Sequence, residues 1–296
     1  MRLTKKRLTK LNQRSLFGLD VFSIFTLVIL IGWVILTVVP ALRLLGLSLR
    51  SPNATAESYL YLIPKELTIR NYVDAFAFLD EYTVALPRAF FNSAVYTFAG
   101  VGGAMIVSIL ASFAFATMEF RGKHALFTIL MLGLIVPISA MLLPEYMTVG
   151  ALGLRNTYWS LILPYIAFSM ALPTMILTSF FKQIPQELYD AAKIDGSNSF
   201  QFLIKIGVPL AKPALATSII WQFIYLWNEF PLALVLLVKE DIYNLPVAIM
   251  AMMTARNSPW HLISSVMIMA AVPVILAFMF FQNYFIEGLT EGALKE

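Results

Sequence analysis

Side chains that do chemistry are scarce in this 296-residue sequence. It has no cysteine, which removes disulfides, thiolate metal sites and cysteine nucleophiles. Its two histidines, His124 and His261, stand too far apart in sequence for a His-rich metal site. No loop is built to cradle a phosphate: Gly122-Lys123 is followed by His124, where Ser or Thr would be needed. Neither G-x-S-x-G nor H-E-x-x-H occurs. What remains is an acid deep in an apolar run, Glu229, with Trp221, Tyr225, Trp227 and Asn228 near it, and a polar stretch at 182–212. These groups form no catalytic constellation. A chain that moves or binds something is expected, not one that converts it, and nothing here marks a metal or cofactor of its own.

The elements that must hold these residues are apolar. Hydrophobic residues make up 59% of the chain and charged ones 13%, against about 25% charged in a soluble domain. Six apolar stretches stand out, at 19–42, 92–116, 125–143, 159–181, 213–238 and 261–285. A membrane-spanning helix needs about 20 mostly apolar residues. The third stretch is the shortest, and Pro137 interrupts it. An all-α polytopic membrane protein of six spans is expected. It has a basic N-terminal segment (1–18), one membrane domain (19–285) and a short tail (286–296). The net charge of +4 is modest and gives no reason to expect nucleic-acid binding. With the N-terminus inside, 13 Lys/Arg fall on the inner side and 8 on the outer, which places both termini in the cytoplasm. Gly100, Ala104, Ser108 and Ser112 recur every four residues, a stripe of small side chains suited to close helix packing.

The 182–212 stretch reads as a helix–turn–helix. Pro185 suits a first helical position, and Glu187 falls in the first turn, where an acid favours the helix dipole. Leu188, Ala191 and Ala192 share one face. Gly196 can take the left-handed conformation that ends a helix. Ser197 or Ser199 can then cap a second helix that carries Phe200, Leu203 and Ile206 on one side. Such a small flat surface suits a docked protein partner, with re-entrant packing as the alternative.

Asp190-Ala191-Ala192, three residues, Gly196, nine residues, Ile206, one residue, Val208 and Pro209 resemble the EAA loop of ABC importer permeases. Asp190 and Val208 stand where Glu and Leu are usual in that loop. Further segments resemble the maltose-type carbohydrate branch, in its smaller six-span subunit. These are Leu67-Thr68-Ile69-Arg70-Asn71-Tyr72, Phe91-Asn92-Ser93, Phe120-Arg121-Gly122, Gly153-Leu154-Arg155-Asn156-Thr157, Trp227-Asn228-Glu229-Phe230 and Gly288-Leu289-Thr290-Glu291-Gly292-Ala293.

The resemblance implies a type I importer permease in the bacterial cytoplasmic membrane. It implies a second permease subunit, two ATPase subunits that hold ATP and Mg²⁺, and a solute-binding protein outside. Glu187, Asp190, Ala191, Ala192, Asp195, Gly196, Ile206 and Pro209 would then couple the spans to the ATPases. Gly288, Thr290 and Gly292 would touch the ATPase pair from a tail narrow enough to enter a cleft that excludes helices. Trp221, Tyr225, Asn228 and Glu229 are the candidate solute path, since aromatic faces often carry sugars. Glu229 either lines that path, pairs across the permease interface, or sits hydrated at the outer end with Trp227 as interfacial anchor. Carbohydrate is the expected cargo, with a phosphorylated polyol or an oligopeptide as the alternative.

Overall fold

The computed structural model describes residues 21–52, 62–254 and 259–293. The basic segment 1–18 lies outside them. Three helices are long and apolar enough to cross a membrane alone: α1 (Val21–Ser48), α3 (Leu86–Thr117) and α14 (Trp260–Ala293). Between α1 and α3 lies the amphipathic α2 (Arg70–Tyr82). The stretch at 159–181 forms α6 (Trp159–Ser169) and α7 (Ala171–Phe181), bent by 40° at Met170.

Two of the expected spans are divided. The third consists of α4 (Lys123–Leu132) and α5 (Ile138–Ala151). Pro137 caps α5 in extended conformation, because its ring and missing N–H disfavour a continuing helix. The fifth consists of α11 (Lys212–Trp227) and the short α12 (Pro231–Leu236), with Pro231 opening the second piece for the same reason. The α13 helix (Leu245–Thr254) follows. Helix length and composition therefore give three spans, or up to five with bent pairs, among the described residues, and six continuous helices do not form.

The last helix also differs from expectation. It continues through Ala293, so 286–293 is helical backbone and not an irregular tail. Gly288, Thr290 and Gly292 lie on that helix, and the reading of a strip that slips where helices cannot is overturned.

The small-residue stripe is packing. Ala104, Ser108 and Ser112 are fully buried, on the α3 face that meets α6, α7 and α11. A Cβ at Gly100 would meet Leu226 Cδ1 at 2.9 Å and Tyr165 Cβ at 3.1 Å. Ser108 Oγ donates to the Met170 carbonyl at the α6–α7 bend, 3.0 Å away. That carbonyl also accepts from the Thr174 N–H at 3.1 Å and the Thr174 hydroxyl at 2.7 Å, so Ser108 adds a cross-helix bond to one that is already paired. By contrast α1 is bare along most of its length and meets the rest mainly through α14. Its C-terminal end is held by Asn71, whose Nδ2 donates to the carbonyls of Ser48 and Arg50 at 2.8 and 2.7 Å.

Candidate functional site

The 182–212 segment is built from four short pieces in sequence. α8 (Gln186–Ile194) starts after Pro185, which stands at the cap and not inside the first turn. It ends at Gly196, whose φ of +80° is the left-handed value expected there. The Ser197 N–H donates to the Ala192 carbonyl (2.9 Å) and the Gly196 N–H to that of Lys193 (3.1 Å), which satisfies the last carbonyls. Asn198, and neither Ser197 nor Ser199, caps the next helix, α9 (Ser199–Phe202). Its Oδ1 accepts from the Gln201 N–H at 2.8 Å, and Gln201 Oε1 accepts from the Asn198 N–H at 3.0 Å. Residues Leu203–Gly207 widen into a π turn, and α10 (Val208–Leu210) follows. Pro209 explains the wide turn: it has no N–H, and its ring would clash with the Lys205 carbonyl in a regular helix. Between α10 and α11 the chain bends by 79°.

The two alanines of the motif face opposite ways. Ala192 is buried, in a core that includes Phe181 and Phe202, whereas Ala191 is exposed. The outward side of α8 carries Leu188, Ala191 and Ile194, with Ile194 87% exposed. Glu187, Asp190 and Asp195 are exposed around them. On the second piece Phe202 and Leu203 are buried and Ile206 is half-buried, whereas Phe200 points out, contrary to the expected face. Pro209 is exposed.

This surface is tied rigidly to the spans. Tyr189 packs edge-on against Phe202 with centroids 4.9 Å apart, and its hydroxyl meets Ser199 Oγ at 2.7 Å. Phe202 lies 6.2 Å from Phe113 near the end of α3, and Phe113 lies edge-on to Phe181 at the end of α7, 5.9 Å away. A force applied at α8 therefore reaches α3 and α7 through packed rings. Nearby, Glu119 is held below the usual carboxylate range by its hydrogen bond to Lys123, 2.8 Å away, in the turn that follows α3.

The four candidate solute-path residues do not converge. Trp221 and Tyr225 line one hollow of about 250 Å³. Asn228 lines another of about 370 Å³, together with Trp227, Phe230 and methionines of α13 and α14. Glu229 lines neither and is 5% exposed. Its Oε1 accepts from the Leu232 N–H at 2.7 Å; its Oε2 accepts from the Ala233 N–H at 3.1 Å and from the Tyr165 hydroxyl at 2.8 Å. The break in the fifth span leaves N–H groups of α12 without helical partners, and this carboxylate satisfies two of them. Within this chain Glu229 is thus a buried acceptor that holds the break in the fifth span together. Trp227 is buried as well, and its Nε1 donates to the Ala270 carbonyl at 3.0 Å, so it is no interfacial anchor.

The bonding role of Asn92 was not visible in the sequence: this residue ties the first part of α3 to the 241–243 turn and to Tyr158. Its Nδ2 donates to the carbonyls of Asp241 (3.0 Å) and Tyr243 (2.8 Å), and its Oδ1 accepts from the Tyr158 hydroxyl at 2.6 Å.

A largely helical, apolar chain whose α8–α10 segment packs against the ends of its long helices is compatible with a membrane permease, and comparison with known proteins gives the class. Residues 104–291 match the family described as binding-protein-dependent transport system inner membrane component, and the chain belongs to that family. It is 33% identical over 275 residues to the trehalose transport system permease protein SugB of Mycobacterium tuberculosis, covering 90% of this chain and 94% of the relative. It is 32% identical over 256 residues to the sulfoquinovosyl glycerol transport system permease protein SmoH of Agrobacterium fabrum, covering 86% and 88%. Its fold is similar to a chain in the crystal structure of a bacterial ABC transporter that imports the acidic polysaccharide alginate. The TM-score is 0.76, with 23% identity and 90% and 96% of the two chains covered. The chain is therefore a membrane-embedded permease subunit.

Proposed function

We propose that this chain forms half of the membrane pathway of an ATP-driven carbohydrate importer and couples it to separate ATPase subunits through residues 185–209. The outward face of α8 carries the coupling half of this reading: an apolar row, Leu188, Ala191 and Ile194, ringed by acids and braced from behind by Phe202 and Phe113. A helix seats in a partner's groove through anchors at this spacing. The carbohydrate half rests on relatives named for trehalose, sulfoquinovosyl glycerol and arabinooligosaccharides.

ATP and Mg²⁺ belong to the partner ATPases, and this chain holds no catalytic site. ATP-driven closure of the ATPase pair would carry α8 with it, and α3, α7 and α11 would follow because the packed rings transmit the motion. Such a switch moves only as far as its ligands prefer one state over the other. ATP and a loaded solute-binding protein supply that preference. The related alginate importer is seen with an alginate pentasaccharide-bound periplasmic protein, which supports a partner of this kind. A second permease subunit completes the pathway.

The experiment is uptake into proteoliposomes by the assembled complex, offered a panel of labelled mono- and oligosaccharides, a phosphorylated polyol and an oligopeptide. ATP-dependent uptake of a sugar is expected. Uptake of the polyol or peptide alone would overturn the carbohydrate reading.

Both termini are assigned to the cytoplasm, supported by the Lys/Arg balance. An alkaline phosphatase fusion after Ala56 is expected to be active and one after Ser197 inactive; the reverse pattern would invert the topology. The end of α14, with Gly288, Thr290 and Gly292, is assigned to the ATPase pair. Removal of 286–296 is expected to weaken co-purification of the ATPases, and unchanged co-purification would contradict it.

A further inference from the structure

The hollow beside Trp221 sits where two breaks in the spans meet. Its wall includes Gly133, Leu134 and Val136, from the gap between α4 and α5, and Ser169, next to the α6–α7 bend. Irregular backbone at membrane depth is tolerated only where protein buries it or where it lines a wet cavity. Gln222 lies in the middle of α11, about 15 Å along the helix axis from Lys212.

Gln222 is 1% exposed and lines this hollow. Its Nε2 donates to the Ser169 carbonyl at 2.9 Å, which fixes the amide orientation. Its Oε1 is buried and has no hydrogen-bond partner among the described residues. A buried acceptor left unpaired is costly, so an orphan that lines a hollow calls for a donor from outside the chain. The rings of Trp221 and Tyr225, one helical turn apart and both partly exposed, flank it.

We propose that this hollow is a sugar subsite: one ring lays its C–H face on Trp221 and donates a hydroxyl to Gln222 Oε1. The proposal rests on the carbohydrate reading above and adds that this subunit touches the cargo itself. A hollow of about 250 Å³ suits one ring and not a chain of them. The acceptor favours a neutral, hydroxyl-bearing cargo, because an anionic group there would face Oε1 without a donor. Asn228 and Glu229 take no part in the subsite.

The test uses the assembled complex and whichever panel sugar the wild-type chain imports. Gln222→Met and Trp221→Leu are each expected to lower uptake of that sugar about tenfold, the equivalent of one buried hydrogen bond or ring contact, with ATP hydrolysis still stimulated by the loaded binding protein. Trp221 is half exposed, so its variant tests the subsite even if Gln222→Met fails to assemble. The chain has no cysteine, so Val136→Cys places a single thiol on this chain at the wall. Its alkylation, read by mass spectrometry of this chain, is expected to slow when the sugar-loaded binding protein and ATP are added. Wild-type uptake by Trp221→Leu together with unprotected labelling would overturn the subsite alone, and would show that a second subunit or water fills the hollow. A wild-type complex that imports no sugar would overturn the carbohydrate reading and the subsite with it.

Discussion

Ala191→Trp is expected to detach the ATPase subunits while leaving the permease folded in the membrane. Ala191 is exposed on α8 between Leu188 and Ile194, and nothing in its own chain needs its small size. A partner groove seated on that row does need it, because an indole would hold the two surfaces apart. Loss of a close-packed interface core costs more than loss of its rim. Co-purification of ATPase with permease should therefore fall by about tenfold or more, equivalent to about 1.4 kcal/mol. Ala192→Trp should fail differently. Ala192 is buried in the core that also holds Phe181 and Phe202, so a larger ring there should unseat α8 from the spans and lower permease yield as well. Gly196→Val lies between these two. Open space surrounds the position, but a φ of +80° costs a β-branched residue about 1–2 kcal/mol, enough to misplace the end of α8. Full ATPase association with Ala191→Trp would show that this face docks nothing.

Glu229→Ala is expected to destabilise the permease more than any substitution on the coupling face. It strands the N–H groups of Leu232 and Ala233 and the hydroxyl of Tyr165 in a buried site, at about 1–3 kcal/mol for each group left without a partner. Glu229→Gln keeps one acceptor but turns an amide NH₂ towards donors, so it should lie between Ala and wild type. The measurement is the thermal midpoint of the purified complex. A Glu229→Ala complex that melts like wild type but has lost transport would return Glu229 to the solute path.

These residues also mark how far the sequence could be read. The end of α8 was legible because glycine is favoured at a positive φ and Gly196 stood where the apolar spacing stopped. The α3 stripe was legible because small residues every four positions on an apolar helix leave few uses other than close packing. The opposed orientations of Ala191 and Ala192 were not, since two adjacent alanines offer no polarity contrast to show which faces inward. Asn198 was hidden between Ser197 and Ser199, three residues of nearly equal capping preference. The break in the fifth span was masked by its hydropathy: 213–238 is apolar almost throughout, and Glu229 stands out as an intruder until Leu232 and Ala233 are seen to need it. Asn92 stood in a segment with a family resemblance, but its bonding role was hidden, because the carbonyls it meets lie 149 and 151 residues further along the chain. What sequence lacked in each case was the identity of a partner brought near only by folding.

The most direct test of the coupling surface places a photo-crosslinking amino acid at position 191, and separately at 192, in the assembled complex. Irradiation is expected to join position 191 to an ATPase subunit in high yield, with the yield changed by ATP, and to leave position 192 joined only within its own chain. No ATPase adduct at 191, or equal adducts at both positions, would contradict the assignment of α8 as the element through which ATP hydrolysis moves this permease.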